Sequence, residues 1–216
     1  MFLITIIISG IFTAEHSQRK DLMNIFQKLC KSNSGNIEGF LTHLKSLNGN
    51  LIEIGCGNGI STCKIYNLAS NPTEKVIAID PFETAWDSIP DSYGKPYPFK
   101  IFKNNTLKLF KNNNIILFKN KSTDPHIPKK LHDLKPIKFS FLDGIQTVDN
   151  LLYELHMMDE LKVKMICMDD YNRETSLSQV PRACHKFIHQ TQNYKFFSTT
   201  KIDDSRTAVI LERKEQ

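Results

Sequence analysis

The residues best suited to chemistry gather around one glycine-rich stretch and the acids that follow it. Glu53-Ile54-Gly55-Cys56-Gly57-Asn58-Gly59 stands where a short apolar run gives way to an amphipathic one. Glycines at such a strand-to-helix turn let backbone approach a ligand closely and accept positive φ, and the helix start beyond presents free N–H groups to an anionic group. A dinucleotide fingerprint reads GxGxxG. Here Ile60 holds the third-glycine position and Gly59 follows Gly57 by two, giving GxGxG. Asp80 ends the next apolar run, where a carboxylate can accept two hydrogen bonds from ribose hydroxyls. Asp143, Asp169 and Asp170 end two later runs. Were neighbouring parallel strands to bring those ends together, three carboxylates on one crevice would repel unless a cation or proton intervened, and hard oxygen ligands suit Mg2+ or Ca2+. The plainer reading has Asp169 or Asp170 capping the strand end through backbone hydrogen bonds. His185 and His189 are spaced i, i+4, but no glutamate follows His185 as a zinc-protease helix requires; a polar helix face accounts for them.

The elements that must position these residues follow from hydrophobic period. Leu22, Ile25, Phe26 and Leu29 predict a short amphipathic helix, Ser32 to Gly35 breaks it, and Phe40, Leu41, Leu44 and Leu47 predict a second helical piece. From there strand and helix signals alternate. Strands are predicted at 51–54, 76–80, 115–119, 137–143, 163–169, 194–198 and 207–212. Helices are predicted over 60–68, through Phe99, Phe102, Leu107 and Phe110, through Val148 to Met158, and through Val180 to Ile188. Alternating β and α units imply a parallel sheet with helices on both faces. Two successive terminal strands joined at Asp203-Asp204 predict an antiparallel hairpin at one edge. The fold class is α/β, Rossmann-like and doubly wound, with seven strands. Residues 1–48 form an N-terminal apolar segment with helices, and residues 49–216 the ligand-binding domain.

With 216 residues, 40% of them hydrophobic, the chain suits one well-buried domain. Five cysteines with no CxxC pair argue against a disulfide scaffold or a zinc ribbon. Cys56 and Cys63 read as small hydrophobes beside the glycine turn, and Cys167 as core. No apolar run is long enough for a bilayer-spanning helix. Phe2 to Phe12 has the length of a signal-peptide core, but no basic residue precedes it and Phe12 stands where a small residue is wanted before cleavage. A cytoplasmic location is the expectation, with a signal or anchor at residues 2–14 as the alternative. The net charge is +5, yet residues 95–138 hold eleven lysines against Asp124 and Asp133 alone. Such a face can attract a polyanion such as nucleic acid, but few arginines are present for base or bidentate phosphate recognition. A solvated face is the expectation.

LIEIGCGNG followed by VIAIDPF resembles the first two motifs of class I S-adenosylmethionine (SAM)-dependent methyltransferases. NIILFKNKS resembles their third-strand and adenine-loop region. FSFLDG, a helix and then MICMDDY resemble the small-molecule group whose fourth strand ends in Phe-x-Asp-Gly. The resemblance covers residues 49 to 212. It implies that Gly55, Cys56, Gly57 and Gly59 cradle the methionine part of SAM, that Glu53 holds the turn, and that Asp80 with Pro81 serves the ribose. Lys121 and Ser122 would lie by the adenine, and Asp143 by the cofactor's ammonium group or the acceptor. The catechol and caffeoyl-CoA O-methyltransferases look similar around strands four and five, which implies catalytic roles for Asp143 and Asp170 and a possible Mg2+ on Asp143, Asp169 and Asp170. Two departures stand out. Ile145-Gln146 replaces the family's Asp-His, and Asp170 stands where the metal-dependent groups carry asparagine.

The expected activity is methyl transfer to a small-molecule acceptor, with oxygen as a candidate atom. In the loop 81–98, Trp86, Tyr93 and Tyr97 could stack on an acceptor, and Tyr171 and Arg173 could contact it from the other side. Alternatives are an RNA-directed methyltransferase using the lysine face, an NAD-dependent oxidoreductase, which Ile60 disfavours, and a Rossmann-like binding module without catalysis.

Overall fold

A computed structural model of the chain describes residues 43–82, 99–171, 179–201 and 207–215. Strands β1 (Asn50–Ile54), β2 (Val76–Ile79), β3 (Ile115–Phe118), β4 (Ile137–Leu142), β5 (Met165–Met168), β6 (Tyr194–Lys201) and β7 (Thr207–Arg213) form one sheet in the order β3-β2-β1-β4-β5-β7-β6. The first five are parallel, and β7 enters antiparallel between β5 and β6. The turn at Asp203-Asp204 lies outside the described residues, as do residues 1–42 with the first predicted helix and the N-terminal apolar run.

Six helices connect the strands among the described residues: α1 (Ile60–Tyr66), α2 (Phe99–Asn105), α3 (Leu107–Lys111), α4 (Ile127–His132), α5 (Val148–Glu160) and α6 (Val180–Thr191). Strand residues alternate between two cores, as a period of two requires. Ile52, Ile54, Ile77, Ile79, Ile166, Met168, Val209 and Leu211 face α4, α5 and α6. Leu51, Val76, Phe139, Met165, Cys167 and Ile210 face the other way, beside Ile65 of α1. Cys56, Ala78, Phe102 and Leu109 continue that second layer under α2 and α3. Helix α1 follows β1 onto one face while α5 follows β4 onto the other. The sheet therefore switches direction between β1 and β4, and a ligand crevice forms outside the carboxyl ends at such a point.

Three differences from the sequence expectation have local causes. The helical stretch 99–111 is two helices, because Thr106 donates its hydroxyl back to the carbonyl of Phe102 (2.7 Å) and closes the first. Helix α4 was not anticipated: it is short and carries Lys129 and Lys130 at its centre, yet Ile127 and Leu131, four apart, are fully buried. Asp80, Asp143 and Asp169 stand one residue beyond their strands. Their N–H groups still donate to the neighbouring strands, at Phe118, Ile54 and Leu142, while the chain leaves the sheet. Helix α5 starts on a Thr147 cap that accepts from Asn150 N (3.3 Å). No helix among the described residues is long and apolar enough to cross a membrane.

Candidate functional site

The glycine turn leaves β1 through three successive positive-φ glycines, Gly55 (86°), Gly57 (50°) and Gly59 (81°). Two of them are required by the protein itself. A Cβ on Gly55 would stand 2.1 Å from the Asp143 carbonyl oxygen, so only glycine lets the exits of β1 and β4 pass so closely. A Cβ on Gly59 would press on Thr106 and Phe102 at 2.8 and 2.9 Å, so this glycine lets α2 and α3 seat against the turn. Asn58 closes the turn from within, its Oδ1 accepting from Ile60 N and its carbonyl from Asn105 Nδ2.

Asp80 ties the two strand exits together. Its Oδ2 accepts from Gly57 N (2.9 Å) and its Oδ1 from Phe82 N (2.6 Å). Burial raises its pKa, against the pull of the backbone N–H groups of Gly57, Phe82 and Cys56. A carboxylate has about four acceptor sites, so these contacts orient the group and leave capacity for hydroxyls of a bound sugar. Pro81 lies at the same exit, and Phe82 packs on Phe99 and Phe102 with ring centroids 5.2 and 5.1 Å apart.

Two fully buried acids flank the crevice on opposite faces. Glu53 points to α1, where its Oε2 accepts from Thr62 Oγ1 (2.5 Å), and burial lifts its pKa to about 7. Glu154 lies on the other face, in the apolar stripe of α5. Its Oε1 accepts from Ser122 Oγ (2.6 Å) and burial lifts its pKa to about 7. Sequence reasoning singled out Ser122 and missed Glu154. The signal was available: Leu151, Leu155 and Met158 define the buried stripe, and position 154 falls inside it.

The carboxylates Asp143 and Asp169 stand one residue beyond β4 and β5. Asp169 is buried and its Oδ1 accepts from Asp170 N (2.8 Å), while Asp170 turns into the left-handed region (φ 56°). Among the described residues no three His, Cys, Asp or Glu side chains form a group that could hold a metal ion. The expectation of Mg2+ on Asp143, Asp169 and Asp170 gains no support from this arrangement. Tyr171 lies next in the chain, its hydroxyl 3.4 Å from His185 Nε2 and its ring 6.4 Å from that of Phe196. His185 and His189 are exposed on α6. Cys56 and Cys167 are buried in the second core layer. Trp86, Tyr93, Tyr97 and Arg173 lie outside the described residues.

The lysine-rich segment also resolves into parts. Lys138, on β4, is fully buried and paired with Glu74 Oε2 (2.7 Å) and Ser70 Oγ (2.8 Å), so it belongs to the core rather than to a basic face. Lys100, Lys103, Lys108, Lys111, Lys119, Lys121, Lys129 and Lys130 are exposed around the free edge of β3.

No protein-family model matches the chain, and no curated protein matches it in sequence. Solved structures do match. The chain is similar to an O-methyltransferase from Bacillus cereus in complex with S-adenosylhomocysteine (SAH), with TM-score 0.58 and 16% identity over 92% of this chain and 91% of that one. It is similar to SAH-bound methyltransferase PaMTH1 of Podospora anserina, with TM-score 0.54 and 11% identity over 96% of each chain. Cofactor-bound Rv0187 from MTB gives TM-score 0.60 and 13% identity over 94% of this chain and 91% of that one. What the chain shares with them is the fold, a Rossmann-like sheet that is parallel except for the antiparallel β7.

Proposed function

We infer that the chain is a SAM-dependent methyltransferase acting on a small-molecule acceptor, with a hydroxyl oxygen as the first acceptor class to screen. The observation that carries this reading is Asp80, held at the exit of β2 by Gly57 N of the glycine turn, in a sheet of order β3-β2-β1-β4-β5-β7-β6. A dinucleotide-binding sheet runs 3-2-1-4-5-6 with a parallel final strand. The antiparallel β7 inserted here, with Ile60 at the third-glycine position, argues against an NAD-dependent oxidoreductase. The similarity to an SAH-bound O-methyltransferase and to SAH-bound PaMTH1 supports the same choice.

When bound, SAM supplies an electrophilic methyl group. The chain's own work is then positioning and proton removal. Asp80 holds the ribose hydroxyls. Gly57 keeps the turn open to the methionine part, Gly55 and Gly59 give it the shape that cradles this part, and Glu53 stiffens it through Thr62. Ser122 lies on the β3 side for the base. In this reading Asp143, at the switch point between β1 and β4, orients the acceptor and takes a hydroxyl proton. Asp170 and Tyr171 border the crevice beyond β5 and contact the acceptor there. The exposed lysines guard β3, the edge of the sheet among the described strands, against another strand, which accounts for them without a nucleic-acid partner.

Calorimetric titration with SAM, SAH and NAD tests the reading. Binding of the first two and not NAD is expected. Asp80→Ala removes two charge-assisted hydrogen bonds to the sugar and is expected to weaken SAH binding by about tenfold to several hundredfold. Wild-type protein that binds neither SAM nor SAH overturns the assignment.

A further inference from the structure

Beyond Asp143 the chain runs into a cleft between the start of α5 and the first two turns of α6. Gln179 N donates to the Gln146 carbonyl (3.2 Å), which fastens the entry of α6 to the turn after β4. Beside this joint lies a cavity of about 410 Å³, walled by Thr147, Val148 and Asp149 on one side and by Gln179, Arg182 and Lys186 on the other. Thr147, Asp149, Arg182 and Lys186 are exposed, so solvent reaches it.

The charges on these walls are out of balance. Arg182 and Lys186 are four apart and share one face of α6, a helix that carries no aspartate or glutamate. Among the described residues neither cation makes an ion pair or a hydrogen bond. Asp149 is the one acid among the described wall residues. Like charges at this spacing repel. Arg182 also stands in the first turn of α6, where the helix dipole favours an anion over a cation. Helix stability alone therefore disfavours both cations where they stand, and an anion between them relieves both effects.

The cleft lies close to the reacting end of the site. Thr147 is four residues beyond Asp143, so at most about 14 Å of chain separates them. Ile145, exposed between them in the chain, offers apolar surface to the body of a bound molecule. We propose that the cleft takes the anionic end of the methyl acceptor, which makes the acceptor a hydroxy acid with its hydroxyl at Asp143 and its carboxylate at Arg182 and Lys186. This rests on the methyl-donor reading and on Asp143 as the group that takes the hydroxyl proton. Two cations against Asp149 leave one charge to be met, which suits a carboxylate better than a doubly charged phosphate ester. The Arg182 fork can hold a carboxylate through two N–H groups, and Lys186 adds a mobile ammonium.

The test titrates the SAH-loaded protein with 4-hydroxyphenylalkanoates of increasing chain length, each against its primary amide, and follows methyl transfer from SAM to the same compounds. At the length that spans the cleft the acid is expected to bind about tenfold tighter than its amide, less so as salt rises. Arg182→Gln and Lys186→Gln each lower this preference several-fold, and Asp149→Asn raises it, with SAH affinity at the wild-type value throughout. A merely structural role for the cations predicts no opposite movement at Asp149. All three side chains are exposed, and circular dichroism checks that the variants fold. No acid preference at any length, or one that both glutamine variants retain, overturns the inference while SAH binding keeps the methyl-donor reading. A 4-hydroxybenzylphosphonate that binds tighter than the matching carboxylate overturns the assignment of a single charge. Folded wild type that binds no SAH overturns the inference together with the reading beneath it.

Discussion

At the scale of single residues, the three turn glycines have three different reasons to be glycine. Gly55 combines a φ of 86° with a phantom Cβ 2.1 Å from the Asp143 carbonyl. No side-chain movement relieves a clash with backbone, so Gly55→Ala is expected to cost more than about 3 kcal/mol, read as a fall in urea midpoint. Gly57, with φ 50°, sits in the ordinary left-handed region, where alanine costs about 1–2 kcal/mol. Equal losses at both positions would contradict the packing argument at Gly55. The glycine spacing was legible in sequence, because it states where the backbone must bend. Which glycine meets protein and which meets ligand was not, because that depends on strand exits 88 residues apart in the chain, at Gly55 and Asp143.

At the scale of elements, the alternation of strands and helices was legible nearly throughout, since apolar period survives whatever the surface carries. It failed at α4, where two buried residues hide among lysines, and at Lys138, counted with the exposed basic residues but sealed in the core. Lys138 and Glu74 form a buried hub at the amino end of the sheet. Glu74 also accepts from Gly49 N and Ser70 N, fastening the entry of β1 to the loop before β2. Burial opposes its ionisation, but Lys138 and these N–H groups hold its pKa below the ordinary value. Removing either charge strands the other, so Lys138→Ala and Glu74→Ala are each expected to cost about 3–5 kcal/mol. A double-mutant cycle is expected to show strong coupling, the double variant costing little more than either single one. Additive losses would mean that the pair is not a unit.

At the scale of the whole molecule, the buried acids shape how stability depends on pH. Glu53 and Glu154 titrate near 7 in the folded chain against an ordinary 4.5. The folded state holds protons that the unfolded state has released, so stability falls as pH rises from 4.5 and levels off above 7. The upper limit is about 3 kcal/mol for each group at about 1.4 kcal/mol per pH unit. Asp80, also raised, adds in the same sense. Glu74 works the other way: its lowered pKa gives stability that is present above the unfolded value and lost as pH falls through the folded one. Urea midpoints are therefore expected to peak near about pH 5 and decline toward pH 8, and Glu53→Gln or Glu154→Gln should flatten the decline. A midpoint that rises between pH 5 and pH 8 would show that these acids are not buried in solution.

Phe82 and Phe99, whose rings touch across a 5.2 Å centroid separation, bracket sixteen residues of chain. Both are fastened to Phe102, beside the glycine turn. Two posts sunk in the same footing make the intervening segment an exchangeable cassette. Its closure cost depends only weakly on length, about 0.6 kcal/mol for a doubling, and the two residues that flank it are held by Phe102. Grafting a segment of different length or composition between these phenylalanines should then alter which acceptors are taken while leaving the thermal midpoint and SAH affinity near their original values. Acceptor choice and scaffold integrity would in that case be separately heritable traits of one chain.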